Sequence, residues 1–520
     1  MPPKARRNKP ARRLAPGQIA EELFGLDPDR DERAPQLCAE TLLTLAQNKY
    51  QSPGSSSELR SPKIQRFAVR SLAIRENFLG GRNDGRAGDD ETTPAEYGLS
   101  LSSGQQIRGS AHLRLAQDTL QGLVDPDTQT AQKGAWLLRP FHESLLWYDA
   151  RRAGPNSPEY SVRKVYMRGS GITLARLLVE PPDPGATELG RRAVVALREA
   201  LTAPSPIAEI SNRLESALPA DESYTSAPAL EPDEQTAWDK GADPRLAGLA
   251  MRLCRHAEGV MCQEGASGAA RIWQLRIVLA LDVAVHALQT AWQTTNAPEE
   301  DRFLLLSFGS APRAADAVRQ RSEDSYRRAR IRLSEATVRT LARRMRELDE
   351  EDVVDWASEF EKRSGLSNSD DDSVSSQLAK LRHPADDEDY LRLARASVES
   401  ANYGRAEDGF RVLLQSVGIL IGTRYRYLTA TPDLLAALVG SLSAHMPMTS
   451  RDFFTAVRQE WGFVINQESA ANTALRDLLD GAGLEQNARR AERLMSDAGL
   501  ALGLSDRTTM VGERAARRHS

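Results

Sequence analysis

The longest apolar run, "IWQLRIVLALDVAVHALQTAW" (Ile272 to Trp292), limits the possible folds more than any other stretch of the chain. Its length is that of a membrane-spanning helix, which needs about 20 apolar residues. However, Arg276 and Asp282 lie near its middle, where a bilayer excludes charged side chains. The run therefore predicts a helix buried on most sides in the core of a soluble protein.

The start of the chain and its cysteines predict a cytoplasmic protein. The segment "LAPGQIAEELFGL" carries two glutamates where a secretory signal needs an uninterrupted apolar region. Cys38, Cys254 and Cys262 are too few and too unevenly spread for a disulfide framework. Only nine of the 68 basic residues are lysine, and such an excess of arginine is typical of GC-rich bacterial genomes. We therefore predict a bacterial protein in a reducing cytoplasm, without a membrane partner.

The first residues, "MPPKARRNKPARR", combine positive charge with proline and contain no acid. A segment of this kind cannot bury a core, so it is predicted to be a disordered arm. The net charge of −4 is nearly balanced, so any contact with nucleic acid must come from local patches such as this one. The arm would release counterions from phosphates regardless of base sequence, and the alternative is a solvated end without a partner. The candidate contacts are Lys4, Arg6, Arg7, Lys9, Arg12 and Arg13.

Charge is sorted along Ser322–Phe360, which the spacing predicts to be one long helix or two in tandem. Residues 313–346 carry eleven arginines and four acids, whereas residues 347–361 carry eight acids and no base. One interpretation is a surface helix whose acidic end meets a basic neighbour. The other is a basic face presented to phosphates, with Arg327 and Arg328 as candidate contacts.

The end of the chain contains the most regular succession of elements. Thr431 or Asp433 is predicted to cap a helix in "TPDLLAALVGSL", and Thr449 or Ser450 to cap one in "TSRDFFTAVRQEWG". "FVIN" is predicted to be a short strand, "ESAANTALRDLLDGAG" a third helix and "LEQNARRAERLMSDAGL" a fourth. "LALGLSDRTTMVGE" is predicted to form a β-hairpin. The predicted inward side chains are Phe453, Phe454, Val457, Trp461, Leu484, Ala488, Ala491 and Leu494.

This order of helices followed by a hairpin resembles a winged helix-turn-helix domain. In that family the helix before the hairpin lies in the DNA major groove and the hairpin forms the wing. The resemblance implies that Arg489, Arg490 and Arg493 lie on the recognition helix and Arg507 at the wing tip. It covers only the end of the chain, and it implies contact either with DNA or with protein, because winged helices serve both purposes.

Two segments contain residue types of known binding sites. "RGSGIT" (Arg168 to Thr173) has the glycines of a phosphate-binding nest, but the GxxxxGK[ST] pattern is missing. A small hairpin beside a helical core is predicted instead, with a turn at Gly169 and Gly171 and either a second strand or a helix in "ITLARLLVE". Cys254, His256 and Cys262 are zinc-ligand types at a spacing that does not fit a zinc knuckle. We predict ordinary buried cysteines, with no metal and no cofactor.

Candidate catalytic groups are incomplete. Asp282 and His286 lie one helical turn apart, within reach of a side-chain hydrogen bond that a general base would need. No nucleophile accompanies them, which favours a structural pair. His142 lies in "RPFHESLLWYDARR", which lacks the second histidine of HExxH. No catalytic residue is therefore assigned.

The predicted fold class is mainly α: a multi-domain helical protein with small β-hairpin elements and a winged-helix-like C-terminal domain. A chain of 520 residues is expected to form several domains. We predict a disordered basic arm (1–16), an N-terminal helical domain with a small β-element (17–200), a Pro-rich acidic linker (201–243), a central helical domain with a charged long helix (244–365), an acidic linker (366–388), a C-terminal helical and winged-helix-like domain (389–512) and a basic tail (513–520).

The leading functional hypothesis is a non-enzymatic DNA-binding or adaptor subunit of a bacterial multi-protein complex that acts on DNA. By analogy only, antiviral (phage) defence is the suggested setting. Its expected partners are nonspecifically bound DNA and other subunits, such as an ATPase or nuclease encoded nearby. One alternative is a pure protein–protein scaffold without nucleic-acid contact. Another is an enzyme whose site is assembled from residues such as His142, Asp282 and His286.

Overall fold

The computed structural model of this chain describes residues 16–26, 33–47, 139–146, 150–152, 160–162, 169–206, 209, 243–309, 316–350, 387–400, 405–443, 445–505 and 508–512. The arm residues Lys4 to Arg13, Arg507, the basic tail and most of both predicted linkers lie outside these ranges.

Helices dominate the described residues, which confirms the prediction of a mainly α protein. The α-helices are α1 (Pro16–Phe24), α2 (Ala34–Gln47), α3 (Ser170–Val179), α4 (Pro184–Thr202), α5 (Ala247–Met261), α6 (Gly268–Thr294), α7 (Ala317–Glu350), α8 (Asp387–Ser400), α9 (Arg405–Ser416), α10 (Pro432–Ser443), α11 (Ser450–Trp461), α12 (Gln467–Ala470) and α13 (Gly481–Asp497). The strands are β1 (Ala150–Arg152), β2 (Tyr160–Val162), β3 (Leu304–Leu305), β4 (Leu420–Ile421), β5 (Tyr427–Leu428), β6 (Met448–Thr449), β7 (Phe463–Val464), β8 (Ala501–Ser505) and β9 (Thr508–Val511).

The apolar run of the sequence forms α6, as predicted. Among the described helices, α6 is the one that is long and apolar enough to cross a membrane. Its most apolar window is 89% buried inside the protein. Burial of this extent is typical of the core helix of a soluble protein, because a membrane span presents its apolar side chains to lipid.

The chain divides into two compact units, each assembled from three separated segments. The first unit comprises residues 1–30, 283–430 and 454–491, and the second comprises 31–282, 431–453 and 492–520. This division differs from the consecutive domains predicted from the sequence. The difference arises because segments far apart in the chain pair with one another, as β3 and β7 do.

One core of the first unit lies along a face of α7. Leu341 and Met345 pack with Leu393 of α8 and Ile19 of α1. The apolar positions of α7 recur three and four residues apart, which places them on one side of a helix. They are Val338, Leu341, Ala342, Met345 and Leu348.

A second core of the first unit surrounds a parallel strand pair. Leu304 and Leu305 of β3 pair with Phe463 and Val464 of β7. The antiparallel hairpin β4–β5 adjoins β3, since Leu306 forms a bridge with Leu428. The buried side chains of this core are Phe303, Leu305, Val318, Val464, Ala470, Leu475 and Leu484.

The second unit is centred on α5. This helix packs against α3, α4 and α10, and α2 packs against α3. Leu249, Leu253, Ala257 and Val260 of α5 are buried, at the spacing of a single helix face. Strands β1 and β2 form an antiparallel pair, so β2 pairs with residues that precede it and not with the segment after Gly171, which is helical.

The C-terminal strands of the second unit form one antiparallel sheet in the order β6–β9–β8. Val511 of β9 stands opposite Met448 on one side and Ala501 on the other. The hairpin β8–β9 appears where the sequence predicts it. Along the chain, α10 comes before β6, α11 directly after β6, and α13 directly before β8.

Local side-chain bonds account for the helix starts at this end. The Thr431 hydroxyl accepts a hydrogen bond from the Leu434 amide (3.2 Å), and the Thr449 hydroxyl accepts one from the Asp452 amide (3.1 Å). Both threonines were predicted caps. Of the eight side chains predicted to face inward, seven are buried and Leu494 is half-buried.

The third predicted C-terminal helix is wrong as a continuous element. "ESAANTALRDLLDGAG" instead contains the short α12 and a 3-10 turn at Ala474–Asp477. Thr473 separates the two, since its hydroxyl donates to the Ala470 carbonyl (2.8 Å) and accepts from the Leu475 amide (3.3 Å). A side chain that bonds the backbone in this way competes with helix continuation.

Candidate functional site

Two of the three arginines implied by the winged-helix resemblance share an exposed face of α13. Arg489 and Arg493 are four residues apart and both are exposed. Arg489 forms a 3.3 Å ion pair with Glu485, which is also exposed. None of the described carboxylates lies within ion-pair distance of Arg493. On this face of α13, Arg489 is therefore paired with an acid, and Arg493 presents its charge to solvent.

Arg490 points differently from its two neighbours. It is half-buried, and its guanidinium lies close to Gly309, in the loop that follows β3. Asp316 is buried at the same place, and its Oδ2 occupies the space that a side chain at position 309 would need. Among the residues described by the structure, no hydrogen-bond donor reaches this Oδ2. Arg490 is thus directed toward a buried carboxylate within the first unit.

The helix that carries these arginines is held by a buried side chain, Asn487. Its Nδ2 donates to the carbonyls of Leu306 (2.8 Å) and Ile465 (2.9 Å), and its Oδ1 accepts from the Phe308 amide (2.8 Å). Asn487 thereby ties α13 to the ends of both parallel strands. In the sequence, Asn487 follows the polar residues Glu485 and Gln486 in "LEQNARR", so nothing distinguishes it as a buried residue.

The arginines of α7 are paired with acids throughout. Each of the ten arginines between positions 319 and 346 lies within ion-pair distance of a carboxylate. The pairs include Arg319–Glu323, Arg321–Asp324, Arg327–Asp324, Arg328–Asp301, Arg330–Glu407, Arg332–Glu335, Arg339–Glu335, Arg343–Glu22, Arg344–Glu22 and Arg346–Glu350.

This pairing bears on the two candidate contacts of α7. Arg327 is 2.7 Å from Asp324, and Arg328 is 2.9 Å from Asp301 and lies over the ring of Phe303. A phosphate would have to compete with these carboxylates. The arrangement is that of a surface helix whose arginines are neutralised by neighbouring acids. Phosphate contact at Arg327 and Arg328 stays a prediction.

Asp282 and His286 each contact a distant part of the chain, and the predicted pair between the two residues stays a prediction. The Asp282 carboxylate lies 3.0 Å from Nδ1 of His256, and both side chains are fully buried. Nε2 of His286 lies 2.8 Å from the carbonyl oxygen of Phe24. Asp282 of α6 meets α5 because their buried faces pack together, which helical spacing within α6 cannot reveal. His142 is also buried.

The glycine segment proposed as a phosphate nest holds a carboxylate of the same chain. "ITLARLLV" is helical, within α3, and Glu40 of α2 accepts hydrogen bonds from the amides of Gly169 (3.2 Å) and Gly171 (2.8 Å). A negative side chain at a helix N-terminus is favourable because the unpaired amides and the helix dipole are positive there. The anion-binding chemistry of "RGSGIT" is thus used inside the fold.

The three cysteines differ in how deeply they are buried. Cys38 and Cys254 are buried, Cys262 is half-buried, and all three are free thiols. Burial raises the pKa of Cys254 to about 12. Burial also raises the pKa of Cys262, with a further contribution from Glu258. No group of three or more potential metal ligands occurs among the residues that the structure describes.

We expect thiol reagents to modify Cys262 before Cys254 in the folded protein. The thiolate is the reactive form, so a raised pKa slows modification until the pH approaches that pKa. Cys262 is the more accessible of the two. Labelling over time, followed by mass spectrometry of the peptides, measures both rates. Cys262→Ser should remove the fast phase, and loss of that phase in Cys254→Ser instead would contradict the assignment.

The exposed hairpin β4–β5 was not identified from the sequence. The turn between β4 and β5 reads "GTRYRY" (Gly422 to Tyr427), and it exposes Arg424 and Tyr425. The alternation of basic and aromatic residues was the available signal. Only the fold shows that these side chains stand at a tip rather than in a core.

No family model matches the chain, and searches of curated proteins and of solved structures find no similar protein.

Proposed function

We propose that the C-terminal part of the chain, residues 432–511, is a winged-helix-like module through which a non-enzymatic bacterial adaptor subunit binds duplex DNA. The observation that carries the proposal is the sheet order β6–β9–β8. In a winged helix, one strand lies between the first two helices and pairs with the second strand of the wing hairpin. The elements α10, β6, α11, α13, β8 and β9 follow that order, with β7 and α12 inserted between α11 and α13.

The charge on α13 supports contact with phosphates. Arg489 and Arg493 lie on one exposed face of the helix that precedes the hairpin. The helix in that position is the one that enters the major groove in winged-helix proteins. Arg507 would extend the same contact from the wing tip, and the arm residues Lys4 to Arg13 would add nonspecific contacts.

Arg490 contributes less to this proposal. It is half-buried beside Asp316, so its charge is directed toward the protein. A DNA-facing role therefore rests on Arg489 and Arg493.

A second candidate function is a protein–protein scaffold in the same kind of complex. It is favoured by the wing itself, because the register of β8 and β9 is irregular between Gly503 and Ser505 and leaves Leu504 55% exposed. An apolar side chain at the wing is suited to a protein partner. The extensive ion pairing along α7 is also compatible with this function.

We expect the full-length chain to bind a random DNA duplex weakly and with a steep dependence on salt. Replacing Arg489 and Arg493 by alanine should lower the slope of log affinity against log salt by about 2, since each phosphate neutralised contributes roughly 0.9. Deleting Met1 to Arg13 should lower the slope by up to about 5, because the deletion removes six basic residues. Fluorescence anisotropy across a salt series measures each slope.

Two controls make this result specific. Arg490→Ala should change the slope less than either exposed arginine does. Arg191→Ala removes an arginine of α4 that is exposed and paired with Glu188, and it should leave the slope unchanged. Absence of duplex binding by the intact protein at low salt would eliminate the DNA-binding proposal and favour the scaffold.

A further inference from the structure

The turn of the β4–β5 hairpin is an exposed feature of the first unit. Leu420 pairs with Leu428 and Ile421 with Tyr427, so the strands are held up to the turn. Gly422 has a φ of +90°, and a side chain there would meet the Tyr425 carbonyl oxygen at 2.5 Å. Position 422 of the turn therefore requires glycine, because another residue would be strained in this backbone conformation. Exposed Arg424 and Tyr425 project from this fixed base.

The base of the turn is fixed by a further contact. The guanidinium of Arg319 on α7 lies over the ring of Tyr427, 4.1 Å from its centroid. The buried Ser322 hydroxyl accepts from the Leu428 amide at 2.8 Å. The hairpin is thus attached to α7, and its tip remains open to solvent.

Charge distinguishes this tip from the neighbouring helix. All ten arginines of α7 between positions 319 and 346 are paired with carboxylates, as described above. At the tip, none of the described carboxylates lies within ion-pair distance of Arg424 or Arg426, and the sequence contains no acid between Asp408 and Asp433. The tip is therefore a local concentration of unneutralised positive charge in a chain whose net charge is −4.

At the base of the hairpin, Arg426 lies near the buried hydroxyl of Tyr326. Burial raises the pKa of Tyr326, Arg330, Arg426 and Arg411 oppose that rise, and Glu407 adds to it. Arg424 itself lies over the ring of Tyr425, 5.4 Å from its centroid. Tyr425 is 47% exposed.

We propose that the hairpin tip Gly422–Tyr427 binds single-stranded nucleic acid, with Tyr425 stacking on an unpaired base and Arg424 contacting the adjacent phosphate. Exposed aromatic rings flanked by arginine bind single strands without base preference, because every base offers a face for stacking. A duplex keeps its base faces covered by stacking, so the exposed ring of Tyr425 selects a single strand. This inference is independent of the duplex-binding proposal for α13, which lies on other residues.

The test is binding of the full-length protein to a labelled oligothymidylate of about 20 nucleotides, longer than the site of a typical single-strand-binding module. Tyr425→Ala should weaken binding at least about fivefold, because stacking on one base is lost. Tyr425→Phe keeps the ring and should bind as the wild type does. Arg424→Ala should lower the salt slope by about 0.7, and Arg424→Lys should retain it.

Several controls separate this site from other causes. Thermal unfolding should be unchanged in all four variants, since both side chains are exposed. Arg191→Ala should leave single-strand binding unchanged, and alanine at Arg489 and Arg493 should affect duplex binding much more than single-strand binding. The proposal is overturned if the wild type does not bind the oligothymidylate at low salt, or if Tyr425→Ala binds it as tightly as Tyr425→Phe. The proposal is also overturned if Tyr425→Ala weakens binding to a duplex more than it weakens binding to the single strand.

Discussion

Replacing Asn487 by alanine should lower the free energy of unfolding by about 3 kcal/mol or more, because it leaves buried backbone groups without hydrogen-bond partners. The Asn487 side chain supplies both donors for the Leu306 and Ile465 carbonyls and the acceptor for the Phe308 amide. Its exposed fraction is 2%. Loss of the amide also separates α13 from the parallel strands β3 and β7. Urea denaturation followed by tryptophan fluorescence measures the change.

A neighbouring amide provides the matched control. Gln486 is exposed on the same helix, and Gln486→Ala should change the free energy of unfolding by less than about 0.5 kcal/mol. Asn487→Asp keeps the acceptor and loses the donors, so it should also be destabilising. Equal stability of Asn487→Ala and the wild type would show that these three bonds do not hold α13.

Replacing Asp282 by alanine should cost about 3 kcal/mol of stability, because it leaves the buried Nδ1 of His256 without the carboxylate that it contacts. His256 and Asp282 are both fully buried, with Nδ1 3.0 Å from each carboxylate oxygen. Without the carboxylate, the imidazole remains in the interior and loses its acceptor. Thermal and urea denaturation should both report the loss.

A double variant distinguishes a broken pair from simple loss of packing. The variant His256→Leu/Asp282→Leu replaces both partners by apolar groups, and it should be more stable than Asp282→Ala. Asp433→Ala, which removes an exposed carboxylate near the Trp273 indole nitrogen, should have a much smaller effect. If Asp282→Ala and Asp433→Ala cost the same, the buried pair is not a major source of stability.

The elements that could be predicted are those governed by local spacing. The apolar run Ile272–Trp292 forms a buried helix, and Thr431 and Thr449 cap their helices as predicted. The β8–β9 hairpin follows Gly499, which has a positive φ of 70°. Helix periodicity, capping and turn chemistry act over a few residues, so a sequence displays them directly.

The partner of each buried polar group could not be predicted, because it comes from a distant part of the chain. Helical spacing placed His286 beside Asp282, and it could not indicate that His256 of α5 lies against the same carboxylate. The glycines near 170 fit a phosphate nest, yet Glu40, more than a hundred residues away, accepts from their amides.

The same limit applies to the arginines. Sequence shows where arginine is abundant, and the long-range acids Glu22, Asp301 and Glu407 lie outside any local window around α7. Pairing with those acids neutralises the richest arginine segment, while Arg424 and Arg493 remain unneutralised by any described carboxylate. Composition and periodicity thus specified a helical, buried-core protein with a C-terminal hairpin. Which charges face solvent depended on tertiary contacts, because ion pairing requires atoms within a few ångströms regardless of their separation in the chain.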